Sequence, residues 1–329
     1  MIPASTSTGK KIALAIVFLI VCATGLIFLF SSRNINDTPA ATPQPAVHKS
    51  ISPDSASLIY HLAFLTSPET AGRETGTPGN AIARKYIENI FDSLQLLKTG
   101  DSYLQPFTFG RDSIKGNNVV GLIKGTHYPN SYIVLSAHYD HLGIRNGNIY
   151  FGADDNASGT ACLLALVQYF KKHPPMHSLV FAAFDAEEKG LRGSYHFVEH
   201  CPVPLTSVMM NLNMDMISRN DNNEIYACGI FHYPFMKKYV DSIKNISTVK
   251  VLYGHDDPAK GSSQDWTSQS DHFAFHKQKI PFLYFGVEDH PDYHKPGDTF
   301  DKVNKSFYYR ICTMIAETVL LLDKQESLQ

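Results

Sequence analysis

The stretch LVFAAFDAEEKG, residues 179–190, places six apolar residues in a row directly before three carboxylates, Asp185, Glu187 and Glu188. An unbroken apolar run of this length is typical of a strand that is buried on both faces of a sheet. Carboxylates that emerge together from the end of such a strand repel one another unless a cation or a proton lies between them. The letters EEKG are also common in solvated turns, so this stretch alone leaves two interpretations open, a binding site and an ordinary turn.

The rest of the chain alternates between strand-like and helix-like segments. Further short apolar or β-rich runs occur at 118–124, 132–137, 208–214 and 281–285, and helical patterns occur at 77–97, 158–172, 190–200, 233–245 and 306–323. Thr77 followed by Pro78 is typical of a helix start. This order predicts a single α/β domain with a mixed, largely parallel central sheet flanked by helices on both faces. Ligands of such sheets bind beyond the carboxyl ends of the strands.

Polar residues stand directly after two of these runs. The run 132–137 is followed by His138 and Asp140, whose side chains share a face because strand side chains alternate, so the carboxylate could accept the N–H of a metal-bound imidazole. The run 208–214 is followed by Asp215 between two methionines, where burial without a partner would be costly. A lone His–Asp pair is more common at a solvated corner, whereas the setting of Asp215 favours a metal.

The segment GADDNASG, residues 152–159, leads directly into the helix predicted at 158–172. Its adjacent acids Asp154 and Asp155 have an ordinary explanation, because the dipole of a helix favours negative charge at the N-terminus. That explanation leaves out the small residues on both sides, which let the backbone approach a bound group closely. His294 lies in a polar loop after the last predicted strand and is unremarkable alone among 15 histidines.

Taken together, these segments contain a set of side chains suited to metal binding. Two imidazoles and three carboxylates form the set: His138, Asp155, Glu188, Asp215 and His294. Mixed nitrogen and oxygen donors of this kind suit paired zinc ions. The set leaves Glu187 free to act as a base.

Five ordered motifs in the chain resemble those of a known enzyme family. They are AHYD, GADDNASG, FDAEEKGLRGS, NMDM and YHKPGDT, with GRETGTPG near the start and SDHFAF at 270 as supporting matches. The sequence resembles the zinc-dependent aminopeptidases with two co-catalytic metals, a family that also includes glutamate carboxypeptidase, glutaminyl cyclase and the transferrin receptor ectodomain. The resemblance covers roughly residues 65–299.

The resemblance implies a role for each metal-binding candidate. Asp155 would bridge two zinc ions, His138 with Asp215 would complete one site, and Glu188 with His294 would complete the other.

The resemblance also implies roles for residues that do not bind metal. Glu187 would be the general base, Asp140 would orient His138, and Tyr293 would hydrogen-bond the scissile carbonyl. The single tryptophan, Trp266, lies in the polar stretch 254–270, which is interpreted either as lining the substrate entrance or as an ordinary surface loop.

The implied function is a metallo-exopeptidase, an aminopeptidase that acts on the N-terminus of a peptide or protein. One alternative is a glutaminyl-cyclase-like transferase on the same fold, which works with a single zinc. Another is a non-catalytic receptor or binding module, in which some ligands should be broken. The full set of ligands favours the two-zinc enzyme over both alternatives.

The N-terminal part of the chain predicts a membrane anchor. Residues 12–30 are nineteen residues without a charge, about 28 Å long as a helix and thus close to the hydrocarbon thickness of a bilayer. Lys10 and Lys11 before this run favour a cytoplasmic N-terminus, residues 1–11, with the rest exported. Residues 31–53 read as a flexible linker and 54–329 as the peptidase domain.

The same segment allows two other interpretations. Cleavage of a signal peptide would release the domain as a secreted protein, but the apolar run is longer than the apolar core of a typical signal. Lipidation at Cys22 would anchor the chain differently, but Val21 is not the small residue that such a signal has before its cysteine. An uncleaved anchor is the preferred interpretation.

Charge and cysteine content argue against two further classes of protein, nucleic-acid-binding proteins and zinc ribbons. Lys and Arg total 29 against 31 Asp and Glu, a net charge of −2, so a nucleic-acid partner is not expected. The cysteines form no CxxC pair, which excludes a zinc ribbon. An oxidising compartment would allow one or two disulfides, but Cys162 and Cys312 are interpreted as small core residues on apolar helices.

Overall fold

The structure, a computed structural model, describes residues 52–328. Within these residues, none of the helices combines the length and the apolar character that crossing a bilayer requires. The predicted cytoplasmic segment 1–11, the predicted anchor 12–30 and nearly all of the predicted linker lie outside the described residues. The first described helix begins at Ser55, and Asp54 caps it by accepting a hydrogen bond from the N–H of Ala56.

The centre of the described part is a nine-stranded mixed sheet. The strands of the structure, in chain order, are β1 (Leu97–Lys98), β2 (Leu104–Phe109), β3 (Ile114–Ile123), β4 (Tyr128–His138), β5 (Gly143–Arg145), β6 (Asn148–Tyr150), β7 (His177–Phe184), β8 (Val208–Met214), β9 (Glu224–Cys228), β10 (Lys250–Tyr253) and β11 (Phe282–Gly286). The sheet runs β1-β3-β7-β4-β8-β11-β9-β10 with β2 also on β3, and β5 pairs with β6 in a separate hairpin. The four middle strands are parallel, while antiparallel pairs lie toward both edges.

Seven α-helices surround the sheet in the described residues. They are α1 (Ser55–Leu65), α2 (Pro78–Ser93), α3 (Gly159–Lys172), α4 (Arg192–Glu199), α5 (Lys237–Ile246), α6 (His272–Lys277) and α7 (Lys305–Asp323). All five predicted helices and all five predicted strands are present, with bounds that differ by a few residues. Thr77 is the N-cap of α2 and Pro78 its first residue, as predicted.

Two apolar cores cover the two faces of the sheet. In β7, Leu179 and Phe181 belong to a large core that includes residues of α1, α2, α3, α5 and α7. The alternate residues Val180 and Phe184 belong to a smaller core with residues of α4 and α6. Because β7 is buried along its whole length, its unbroken apolar sequence is explained by burial on both sides. The predicted α/β architecture with helices on both faces is therefore confirmed.

The register of the parallel strands aligns their carboxyl ends. His138, the last residue of β4, pairs with Phe184, the last residue of β7. Met214, the last residue of β8, pairs with Phe285 near the end of β11. Side chains that follow these positions therefore meet at one edge of the sheet, as expected for a ligand site of a parallel sheet.

Candidate metal centre

The five predicted metal ligands lie together at this edge. The His138 Nε2 atom is 3.3 Å from Asp215 Oδ1 and 3.4 Å from Asp155 Oδ1. The His294 Nε2 atom is 3.0 Å from Asp155 Oδ2 and 3.4 Å from Glu188 Oε2. The two oxygens of Asp155 thus face two different groups of ligands. The first group contains His138 and Asp215, and the second contains His294 and Glu188.

Residues that hold Asp155 come from a distant part of the chain. Both Asp154 and Asp155 donate their backbone N–H to the buried carboxylate of Asp298, at 3.0 Å and 3.1 Å from Oδ2. Asn156 donates from Nδ2 to the carbonyl oxygen of Met214 at the end of β8. The loop is therefore fixed on both sides of the carboxylate that faces the two groups.

The small residues of GADDNASG serve the packing of protein against protein. A Cβ on Gly159 would lie 2.4 Å from the carbonyl oxygen of Met214 and 2.4 Å from Asn156 Oδ1, and a Cβ on Gly152 would lie 2.5 Å from the ring of His141. Gly152 also has a φ of +55°, which favours glycine. These glycines let the loop approach neighbouring residues of the chain itself, whereas the sequence had suggested close approach to a bound group.

Asp140 contacts both sides of the site. Its carboxylate accepts hydrogen bonds from the backbone N–H groups of Glu187 and Glu188, at 3.1 Å and 3.3 Å. The imidazole of His138 donates from Nδ1 to the carbonyl oxygen of Asp140 at 3.2 Å, while the nearest carboxylate oxygen is 3.6 Å away. Asp140 therefore contacts His138 mainly through its backbone, and its side chain fixes the turn that carries the two glutamates.

A chain of hydrogen bonds between buried polar side chains leads from β4 and β8 to Asp215. Ser136 donates to Asn213, Asn213 donates to Ser270, and Ser270 donates to Asp215 Oδ2 at 2.7 Å. Of the two asparagines that interrupt the apolar strand 208–214, Asn213 is paired at both polar side-chain atoms, and Asn211 is paired through Nδ2, which donates to Ser136. This pairing lowers the cost of burying them. The bond from Ser270 fixes one oxygen of Asp215, while the other faces His138.

Glu187 lies beside the first group of ligands, within 4.0 Å of His138. Burial raises the pKa of Glu187 well above its usual range; the charge of His138 opposes this rise, while Asp215 adds to it. Because of this raised pKa, the buried carboxyl group favours its protonated form, and a cation bound beside it would favour loss of the proton. A carboxyl group of this kind can act as a proton shuttle.

In the second group, carboxylates and imidazoles shift one another's pKa strongly. Burial opposes the charge of Asp155 and of Glu188, but the neighbouring imidazoles hold the pKa of Asp155 well below its usual range and lower that of Glu188 to about 2. Burial also opposes a charge on His294, but its hydrogen bonds to Asp155 and Glu188 raise its pKa to about 10. A cation that binds His294 must therefore displace a proton.

His141 is a member of the second group that the sequence analysis did not identify. It is fully buried, and its Nδ1 is 2.8 Å from Glu188 Oε1. Its position, together with Asp155 and Glu188, places three potential ligand atoms within 4.8 Å of one another. The signal in the sequence was a second histidine three residues after His138, but β4 ends at His138, so strand alternation says nothing about where His141 points.

Arg73 is a second residue whose role depends on the fold. It is fully buried and donates to four carbonyl oxygens: those of Leu65, Tyr139, Phe151 and Gly152. Burial lowers its pKa to about 10, against the opposing charge of Asp155, so it remains a cation at neutral pH. The GRETGTPG motif thus ties the end of β4 to the loop before Asp155 and places a positive charge behind the acidic site.

Tyr293 packs on His294, with ring centroids 4.0 Å apart. Burial and the charge of Asp155 raise the pKa of Tyr293 above its usual range, so the phenol keeps its proton and can donate it in a hydrogen bond. The stretch 254–270 is anchored rather than loose, because buried Trp266 stacks on His255 at 3.7 Å. Whether that stretch lines the substrate entrance stays a prediction.

The donor set at this edge of the sheet fits metal binding. Among the residues from 52 to 328, two groups have ligand atoms close enough for a metal, one with His138, Glu187 and Asp215 and one with His141, Asp155 and Glu188. Imidazole nitrogen and carboxylate oxygen are the donors that zinc accepts in catalytic sites. Such a centre at the edge of an α/β sheet defines a candidate hydrolytic metalloenzyme.

Comparison with known proteins identifies the family. Residues 118–319 match the model of peptidase family M28. Because this match spans more than half of the chain, the protein belongs to peptidase family M28. The resemblance that the five motifs predicted is confirmed, and so is the prediction that the protein is an enzyme of the peptidase class.

Similar proteins differ in how much of their length the chain covers. The aminopeptidase YwaD of Bacillus subtilis is 27% identical over 270 residues, which is 79% of this chain and 54% of YwaD. The chain thus spans about half the length of this curated relative. The structure of BSAP, a zinc aminopeptidase from Bacillus subtilis, superposes with a TM-score of 0.66 at 17% identity, covering 82% of this chain and 95% of BSAP.

A glutaminyl cyclase has nearly the same fold. The enzyme from Bacteroides thetaiotaomicron superposes with a TM-score of 0.65 at 16% identity, covering 82% of this chain and 98% of the cyclase. At such identities the two structural likenesses establish the fold alone. They confirm the α/β architecture and leave the reaction to be argued from the site.

Proposed function

We propose that this protein is a zinc-dependent aminopeptidase that hydrolyses the first peptide bond of peptides with two co-catalytic zinc ions. The observation that carries the proposal is the placement of Asp155, whose two carboxylate oxygens face two separate groups of ligands, at 3.4 Å from His138 and 3.0 Å from His294. The activities named for YwaD and BSAP support the choice of aminopeptidase and of zinc.

In this proposal His138 and Asp215 hold one ion, Glu188 and His294 hold the other, and Asp155 bridges them. Zinc bound there would lower the pKa of a shared water molecule and polarise the scissile carbonyl. Four of these five side chains are buried, and His294 is the exposed member, with a side chain that is 39% exposed. The exposed ligand marks the side from which substrate reaches the site.

Glu187 supplies the acid–base chemistry. It takes a proton from the attacking water and later gives that proton to the leaving amine, as a carboxylate next to the reacting water can do. Asp140 supports it by accepting the backbone N–H of Glu187. Tyr293, which keeps its phenolic proton, donates a hydrogen bond to the oxygen of the scissile carbonyl.

An assay with aminoacyl nitroanilides tests this function. The full chain in detergent is assayed before and after treatment with a chelator, and zinc per chain is measured in both samples. We expect two zinc ions per chain, loss of activity on chelation and recovery when zinc is added back. Full activity after complete removal of metal, or a fully loaded protein without activity on any aminoacyl substrate, would exclude the proposal.

A peptide with an N-terminal glutamine separates the aminopeptidase from a cyclase. An aminopeptidase releases free glutamine and a peptide one residue shorter. A cyclase would release ammonia and leave a peptide of unchanged length with a pyroglutamyl end. The fold shared with the Bacteroides cyclase makes this control necessary.

The role of His141 leads to a separate prediction. Its Nδ1 contacts one oxygen of Glu188 at 2.8 Å and leaves the other, Oε2, toward His294. We expect His141→Ala to weaken binding of one zinc ion about 10- to 100-fold, as loss of a supporting hydrogen bond to a metal ligand typically does, with the other ion unchanged. His141→Asn keeps a donor near the Nδ1 position and should restore most of the affinity.

Competition with a chromophoric chelator measures both ions in each variant. If His141 were itself a ligand, the asparagine variant should recover little of the affinity, because its amide nitrogen does not bind zinc and its amide oxygen is a weaker donor than imidazole. Unchanged affinity in His141→Ala would show that the contact with Glu188 has no part in metal binding.

We also propose the membrane topology that the sequence predicts. Residues 1–11 lie in the cytoplasm, 12–30 span the membrane, 31–53 form a linker, and the peptidase domain 54–329 acts on the exported side. The support is the uncharged run of residues 12–30 between Lys11 and Arg33. Sizing the protein in membrane and soluble fractions tests it, since a shortened soluble form alone would indicate cleavage and secretion.

A further inference from the structure

Two buried cysteines meet in the core and have no part in the proposed reaction. Cys162 in α3 and Cys312 in α7 have their Sγ atoms 3.0 Å apart. Both residues are fully buried. The sequence predicts small core residues on apolar helices, which their burial confirms, and the structure also places one directly against the other.

This contact is specific among the cysteines of the described residues. Cys201 is half-buried and Cys228 is buried, and all four cysteines are free thiols in the structure. Of these four, only Cys162 and Cys312 have sulfur atoms in contact with each other. Most other side chains of the same core are hydrocarbons. Apolar packing alone would therefore be satisfied without placing the two sulfur atoms against each other.

The positions of the two helices give a bond between them a structural consequence. α3 begins directly after the loop that carries Asp155, and α7 is the last helix of the chain. Tyr308 of α7 already donates a hydrogen bond to the carbonyl oxygen of Ser158 at 2.6 Å. A bond between residues 150 positions apart would restrict the unfolded chain strongly, because the closed loop is long.

We propose that Cys162 and Cys312 form a disulfide when the chain folds under oxidising conditions. The thiolate of one cysteine attacks a disulfide of the oxidant, an oxidised thiol compound such as oxidised glutathione, and releases one thiol. The thiolate of the second cysteine then attacks the mixed disulfide, forms the Cys162–Cys312 bond and releases the second thiol. Two protons and two electrons pass from the protein to the oxidant.

The bond forms while the chain folds. In the folded protein both sulfur atoms are out of reach of a soluble oxidant, and a thiolate is disfavoured there since the core around Cys162 is apolar. The proposal does not depend on the peptidase activity, so either can fail without the other.

Refolding of the full chain in detergent provides the test. The reduced, unfolded protein is refolded in a buffer of reduced and oxidised glutathione, the folded fraction is isolated, and free thiols are labelled after denaturation without reductant. We expect two labels fewer than the five cysteines of the chain, and a peptide pair containing Cys162 and Cys312 that separates only after reduction. Cys201→Ser is the matched control and should give the same linked pair.

Stability gives a second measurement on the same samples. The wild type refolded with reductant throughout should melt at a lower temperature than the wild type refolded in the glutathione buffer, and the double variant Cys162→Ala, Cys312→Ala should melt at the same temperature after both treatments. Labelling of both Cys162 and Cys312 in the folded fraction, or a linked pair that contains Cys201 or Cys228 instead, would overturn the proposal.

Discussion

Glu187→Gln is expected to keep two zinc ions and to lose activity by a factor of about 10² to 10⁴, the usual contribution of a positioned general base. Glutamine has the same shape as glutamate but takes no proton at neutral pH. The backbone N–H of residue 187 would still donate to Asp140 at 3.1 Å, so the turn that carries Glu188 should keep its place. The loss should therefore fall on turnover and not on metal binding.

The measurement is kcat and KM on an aminoacyl nitroanilide, together with zinc per chain for the same preparation. Glu199→Gln is the matched control, because Glu199 is an exposed glutamate at the end of α4, and its activity should equal that of the wild type. If Glu187→Gln kept most of its turnover, the base would have to be another group. If it lost zinc as well, Glu187 would be acting as a ligand.

The buried part of the fold could be predicted from the sequence because burial leaves a strong pattern. β7 and β8 carry nearly continuous apolar residues, and both were predicted within two residues of their observed bounds. The missed strands are short or partly exposed. β2, for example, contains Pro106 and has only one buried residue, so its pattern is weak and its pairing with β3 depends on the rest of the sheet.

The buried face of α2 shows where a pattern is insufficient. The apolar residues of α2 form two sets that differ in burial: Ile82 is 39% exposed and Ile90 is only partly buried, while Ile87 and Phe91 are fully buried. Both sets have helical spacing, so the sequence of the helix alone offers two faces. The choice is made by β3, where Gly121 has no side chain and leaves the space that Phe91 fills.

The candidate site likewise contains residues that could be placed from the sequence and residues that could not. Residues that end the predicted strands, such as His138 and Asp215, could be placed at one edge because parallel strands align their carboxyl ends. Arg73, His141 and Asp298 could not, because each acts through backbone groups or side chains that only the fold brings close. The sequence thus predicts which groups could hold metal, and the structure adds the groups that hold those ligands in position.

Asp155→Ala is expected to lose both zinc ions and all measurable activity, because each carboxylate oxygen of Asp155 faces one group of ligands. Loss of a single-site ligand should be less severe, so His294→Ala should keep about one tightly bound zinc per chain, at the group that contains His138. Zinc is counted after dialysis against buffer, and activity is assayed with added zinc. Asp112→Ala, in an exposed turn, is the control for a surface carboxylate and should retain two ions.

The variant could also lose zinc because it does not fold. Melting of the metal-free proteins distinguishes the two causes. The backbone of residue 155 would still donate to Asp298 in the variant, and α3 would still begin at Gly159, so the metal-free variant should melt near the metal-free wild type. Added zinc should raise the melting temperature of the wild type, because a ligand that binds only the folded state stabilises it, and should barely change that of Asp155→Ala. A variant that bound two ions as tightly as the wild type would show that Asp155 does not bridge the metals, and the paired site would have to be assigned to other residues.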